Sequence, residues 1–201
     1  MPGEPSTYFS LAVEGDLDAT VAARIVALAG GAVHNVYGKR GKNLLRRSVV
    51  GYNEAAKFSP WLFLVDLDHD FDCAPLLRKE WIPEIAPLMA FRVAIREVES
   101  WLMADSETLA EFLGVARARI PADVENLADP KRALVDIASR SRIKKIRDDI
   151  VPRPGSGRET GRAYSSRMIQ YAETVWRPKV AAEYSSSLAA CKMRVSEMCG
   201  S

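Results

Sequence analysis

Two short apolar runs in this chain end in acids. Residues 8–13, Tyr-Phe-Ser-Leu-Ala-Val, lead into Glu14-Gly15, with Asp16 and Asp18 just beyond, and residues 61–65, Trp-Leu-Phe-Leu-Val, lead into Asp66-Leu67-Asp68-His69-Asp70. Strand side chains alternate with period two, so Asp66 and Asp68 are expected on the same side of a strand end. If the two strands are neighbours, three to five carboxylates gather at one sheet edge. Such a cluster repels itself unless a cation neutralises it. No lysine or arginine lies within several residues of Asp66 or Asp68, so a bound divalent ion is the natural counter-charge. Hard carboxylate oxygens select Mg²⁺ or Mn²⁺ over zinc. Gly15 permits close approach of another group, whereas Asp16 and Asp70 read as helix-cap or turn residues.

The elements that must position these acids follow from periodicity. Both apolar runs read as buried strands, and the unbroken apolar stretch at 61–65 predicts burial on both faces, as in a parallel sheet. Residues 18–29 form a helix with Val21, Ile25 and Leu28 on one stripe, stopped at Gly30-Gly31. A weaker strand spans 32–37, a helix 44–58 and a further strand 89–95. A helix follows through Glu97, Val98, Trp101 and Leu102. Asp105 or Ser106 caps another that Gly114 ends, and Asp129-Pro130 is an N-cap with proline at the first helical position. From about Val180 a last helix places Val180, Tyr184, Leu188 and Cys191 on one face. Strands alternating with helices predict an α/β fold with a mainly parallel sheet. In such sheets ligands gather at the carboxyl ends of the strands, where the acids lie.

Residues 140–167 differ in character. Nine basic residues face three acidic ones, a net charge of +6, interrupted by Pro152, Pro154, Gly155, Gly157 and Gly161. Phosphate contacts are the expected use of such charge, with Arg140, Arg142, Lys144 and Lys145 as candidates. Lys39, Arg40 and Lys42, in a loop after the second strand, join them as candidate contacts to DNA or RNA. That loop lacks the spacing of a phosphate-binding P-loop, which argues against ATP hydrolysis by this chain. The expected division is a metal-binding domain over 1–140 and a basic loop with a helical extension over 141–201.

The 201 residues carry a net charge of only +2, which excludes a histone-like basic protein. The chain is long enough to bury a core without disulfides. There is no run of 18 apolar residues to cross a membrane. Cys73, Cys191 and Cys199, with His34 and His69, have no zinc-site spacing. Met1–Pro5 lacks the basic and apolar regions of a signal peptide. A cytoplasmic location is the expectation.

The order strand-Glu14-Gly15-x-x-Asp18-helix, then strand-Asp66-Leu67-Asp68, resembles the TOPRIM domain of topoisomerases, bacterial primases and OLD-family nucleases. The stretch Glu99-Ser100-Trp101-Leu102-Met103-Ala104-Asp105 is similar to the E-x-W-L-x-A-D segment of uncharacterised TOPRIM-like bacterial proteins that accompany ATPase partners in suspected phage-defence systems. The resemblance covers roughly residues 8 to 140. It implies a Mg²⁺- or Mn²⁺-dependent nuclease. Glu14 would be a metal ligand or general acid–base group, Asp66 and Asp68 would hold the ion, and Asp18 would help hold another. Glu99 would be an additional acid. Lys131 is the first candidate for the basic residue that OLD-type enzymes use near their metals, with Lys144 or Lys145 next. Trp101 and Leu102 read as core. Two alternatives stand beside this. One is a non-catalytic metal-binding regulatory subunit that docks an ATPase, with homo-oligomers also possible. The other is a haloacid-dehalogenase-like phosphatase, whose D-x-D motif, however, belongs to the first strand.

Overall fold

The computed structural model describes Pro5 and residues 7–200; Met1–Glu4, read above for targeting signals, lie outside the described residues. Four parallel strands, β1 (Tyr8–Val13), β2 (Ala32–Gly38), β3 (Trp61–Asp66) and β4 (Met89–Ala94), form one sheet in the order β2-β1-β3-β4. Helices α1 (Asp16–Leu28), α2 (Lys42–Ala55) and α3 (Ala74–Trp81) connect successive strands. Beyond β4 the chain is helical: α4 (Val98–Ala104), α5 (Ser106–Leu113), α6 (Pro130–Ser139), α7 (Lys144–Ile150), α8 (Tyr164–Thr174), α9 (Pro178–Ala181) and α10 (Ser186–Cys199). The α/β class and the parallel sheet expected from the sequence are present.

Alternation along the strands explains the two layers. Phe9, Leu11 and Val13 of β1 and Leu62 and Leu64 of β3 face a core shared with α1 and the C-terminal helices. Trp61, Phe63 and Val65 point the other way, against residues of α2 and α3. β3 is therefore buried on both faces, as its uninterrupted apolar sequence requires. Phe63 stacks on Phe91 of β4 with ring centroids 4.8 Å apart, and Trp81 meets both rings edge-on.

The C-terminal helices are built into this fold. Tyr164, Met168, Tyr171, Trp176 and Leu188 belong to the same apolar cluster as β1 and α1, so residue 140 marks no break in the core. Local signals end the helices as expected in two places. Gly114 takes the left-handed conformation after α5 (φ 65°), and the Asp129 carboxylate accepts the Arg132 amide at 2.7 Å to cap α6. Two expectations fail. Leu28, placed on the buried stripe of α1, is 44% exposed at the helix end. The continuous helix expected from Val180 is broken into α9 and α10. The Ser185 hydroxyl caps α10 by accepting the Leu188 amide, and the Glu125 carboxylate accepts the amides of Ser186 and Ser187, so the chain restarts there and leaves Tyr184 exposed.

Candidate functional site

Strand order fixes where the acids meet. From β1 the chain moves outward to β2, then returns to β3 on the other side of β1. The β1–β3 boundary is thus the topological switch point, where a crevice opens at the strand ends. Paired positions between the two strands end at Ala12 and Phe63. One residue past β1, the Glu14 side chain reaches across this gap and its Oε1 accepts the Asp66 amide at 2.9 Å. Asp66 Oδ1 in turn accepts the Val98 amide of α4 at 3.0 Å.

Asp18, in the first turn of α1, is only 7% exposed, and its Oδ1 has no hydrogen-bond partner. Glu99, in the first turn of α4, is 2% exposed and accepts the Tyr164 hydroxyl of α8 at 3.0 Å. Burial and mutual repulsion raise the proton affinity of these groups. Desolvation, then the charges of Glu14 and Glu99, hold Asp18 at about 7. Asp66 lies well above the usual carboxylate range through desolvation, then Asp18, Glu99 and Glu14. Glu14 and Glu99 are raised chiefly by desolvation. The group prefers to hold protons or another cation.

Asp68 departs from the expected pleat. β3 ends at Asp66, and Asp68 turns into the left-handed region at φ 51°. Its amide donates to the Arg96 carbonyl, while the Arg96 guanidinium donates back to the Asp68 carbonyl, so this turn is locked to the one after β4. The Asp68 carboxylate meets Lys42 Nζ at 2.8 Å, which also meets Asp70 at 2.9 Å. The expected side-by-side arrangement of Asp66 and Asp68 therefore gives way to two environments. One is buried among acids and the other is neutralised by a lysine distant in sequence. Burial opposes the Lys42 charge, but Asp68 and Asp70 outweigh it and raise its proton affinity.

Lys131 stands at the acids, where the sequence reading placed it first. Its Nζ lies 2.9 Å from Glu97 Oε1 and 3.8 Å from Glu99 Oε1, and its amide donates to Glu97 Oε2. A cleft of 380 Å³ is lined by Asp18, Asp66, Glu99 and Lys131 together with Tyr164, Ser165 and Ser166 of α8. Lys131 also borders a 420 Å³ hollow lined by Asp68, Arg96 and Arg132, which adjoins at Pro152 a third hollow holding Lys144, Arg147 and Arg153. The other basic candidates are spread. Lys39 pairs with Asp16 at 2.6 Å. Arg40, Arg140, Arg142 and Lys145 are exposed and line none of these hollows. Lys144 pairs with Asp148 one turn along α7.

The acids gather, but among the described residues no three His, Cys, Asp or Glu side chains stand in the arrangement of a metal site. Glu14, Asp66 and Glu99 each hold a hydrogen bond, and Asp68 an ion pair, in place of a shared centre. The donor chemistry nevertheless suits a hard cation: every nearby acidic ligand is oxygen, and the buried Asp18 oxygen lacks a partner. Sequence reasoning missed Glu97, Tyr164, Ser165 and Ser166. Glu97 was read only as the start of the helix after the strand at 89–95; nothing in the local pattern links α8 to the strand ends. Trp101 and Leu102 are fully buried, as expected. The sequence matches no family model and no curated protein, and the fold matches no solved structure.

Proposed function

We propose that this chain is a TOPRIM-like, Mg²⁺- or Mn²⁺-dependent hydrolase of nucleic-acid phosphodiesters. The observation that carries the reading is the group Glu14, Asp18, Asp66 and Glu99 at the β1–β3 switch point, with an unpartnered buried oxygen on Asp18 and Lys131 alongside. Glu14, Asp18 and Asp66 would hold the ion, with Asp68 next to them. A divalent ion bound there supplies Lewis-acid polarisation of a phosphoryl oxygen and a more acidic water.

The chain's own groups have defined tasks. As the alternative to ligating the ion, Glu14, with a proton affinity raised by burial in the metal-free protein, is suited to take a proton from the attacking water or give one to the leaving oxygen. The Lys131 ammonium, kept charged by Glu97 and Glu99 despite its burial, offsets charge building on the phosphate. Arg96 and Arg132 border the adjoining hollow and are placed to meet neighbouring phosphates, with the basic residues of 140–167 further along the strand. An ATPase partner would dock on this chain and gate its activity.

The test is incubation of supercoiled plasmid, single-stranded DNA and RNA with Mg²⁺, with Mn²⁺ and with EDTA. Metal-dependent cleavage that Glu14→Gln removes, with the circular dichroism spectrum unchanged, is the expected result. Equal cleavage by Glu14→Gln rejects the assignment. A second reading, a metal-binding regulatory module, is favoured by the hydrogen bonds and ion pair that already engage Glu14, Asp66, Glu99 and Asp68. It gives metal binding without cleavage in the same assay.

A further inference from the structure

The start of α8, a helix of 11 residues, lines the same cleft as the acids. Its N-cap residue is Ala163, which makes no side-chain capping bond. The amides of the first helical turn have no partner within the helix, and Ser165 and Ser166 occupy this turn with exposed hydroxyls at the cleft. One contact ties the helix start to the acids and another to the end of α7. The Tyr164 hydroxyl donates to Glu99 at 3.0 Å, and Gly161 packs so closely on the end of α7 that a Cβ there would stand 2.2 Å from the Asp149 carbonyl oxygen. The Gly161 amide donates to the Ile150 carbonyl at 2.8 Å.

The acids and the helix start ask for opposite charges. Asp18, 7% exposed with an unpartnered Oδ1, calls for a cation in the cleft. The α8 terminus offers N–H groups and the positive end of the helix dipole, which suit an anion. A phosphate accompanied by a divalent cation satisfies both at once, with Lys131 lining the same cleft. We propose that the amides and hydroxyls of Ser165 and Ser166 hold a phosphate of the nucleic-acid backbone against the ion-binding acids. This rests on the hydrolase reading above and adds the substrate-binding half of the site, supplied by a part of the chain outside the TOPRIM-like region.

The test introduces charge without harming the helix. Aspartate is favourable in a helix's first turn but is repelled by the buried acids that line the same cleft, so the double variant Ser165→Asp/Ser166→Asp is first shown to keep the wild-type circular dichroism spectrum. A fluorescein-labelled single-stranded oligonucleotide is titrated with wild type and variant in Ca²⁺, which takes oxygen ligands while limiting turnover, and Mn²⁺ binding is measured separately by calorimetry. The expected result is a Kd for the oligonucleotide raised roughly tenfold or more, with Mn²⁺ binding retained or tightened. An oligonucleotide Kd unchanged within about twofold overturns the phosphate assignment while Mn²⁺ binding upholds the acid site. Wild type that binds Mn²⁺ but no oligonucleotide overturns both the assignment and the nucleic-acid substrate. Wild type that binds the oligonucleotide but no Mn²⁺ rejects the metal reading, and the serine variant still decides the phosphate contact.

Discussion

Replacing Asp18 by asparagine keeps the shape of the side chain and removes one buried charge. The carboxylate sits at about 7 in the folded protein against an ordinary value of 3.8, a difference of roughly three units at about 1.36 kcal/mol each. In the unfolded chain the group ionises near its ordinary value. Between these two values the folded protein holds a proton that the unfolded chain has lost, so stability declines as pH rises through this window. Above about 7 the full cost is present, about 4 kcal/mol. Asparagine escapes it, and its amide can donate to the acids that the carboxylate repels. For a chain of this length, 1 kcal/mol moves Tm by about 2–4 °C. The expectation is therefore that Asp18→Asn melts on the order of 10 °C above wild type at pH 8 in EDTA, with the gap closing towards pH 4. Scanning calorimetry across that pH range measures it. An Asp18→Asn protein no more stable than wild type at pH 8, or a gap independent of pH, refutes the claim that burial and the neighbouring acids raise the proton affinity of Asp18.

Other parts of the account have their own tests. Gly161→Ala forces a methyl against the Asp149 carbonyl and is expected to cost about 1–3 kcal/mol, read as a lower urea midpoint; an unchanged midpoint would mean that the α7–α8 junction is loosely packed. Replacing Arg140, Arg142, Lys144 and Lys145 together by alanine removes charges that carry no sequence information. If all four contact phosphates, the slope of log K against log salt flattens by about 3 on a single strand and nearer to about 4 on a duplex, and an unchanged slope would identify them as a solvated face.

The framework of the site was legible because it depends on local pattern. An uninterrupted apolar run ending in acids places Asp66 at the end of a strand buried on both faces, and Glu14 follows in the same way from β1. Lys131 was named first only because the resemblance implies a basic residue near the acids, and no local pattern pointed to it. What was not legible depends on the meeting of distant segments. The turn of Asp68 to φ 51° and its neutralisation by Lys42 require the start of α2 to pass the end of β3. The wall formed by Tyr164, Ser165 and Ser166 comes from a segment read only as a basic, glycine-rich stretch. Glu97 carried no signal to separate it from a solvated helix glutamate until Lys131 closed on it. The break between α9 and α10 has the same origin. The apolar spacing from Val180 to Cys191 suits one helix, and only the remote Glu125 carboxylate, which accepts hydrogen bonds from three successive serines, favours a new helix start at Ser186.

The central claim is that the acids at the β1–β3 switch point bind a divalent cation, and titration calorimetry of Mn²⁺ at pH 8 tests it most directly. Asp66→Asn is the informative comparison, since the amide keeps an oxygen for the Val98 N–H and loses the charge at the centre of the cluster. The account predicts saturable binding by wild type and its loss in Asp66→Asn, with the circular dichroism spectra of the two proteins superimposable. Equal Mn²⁺ affinity in the two proteins, or no binding by the folded wild type, would contradict it.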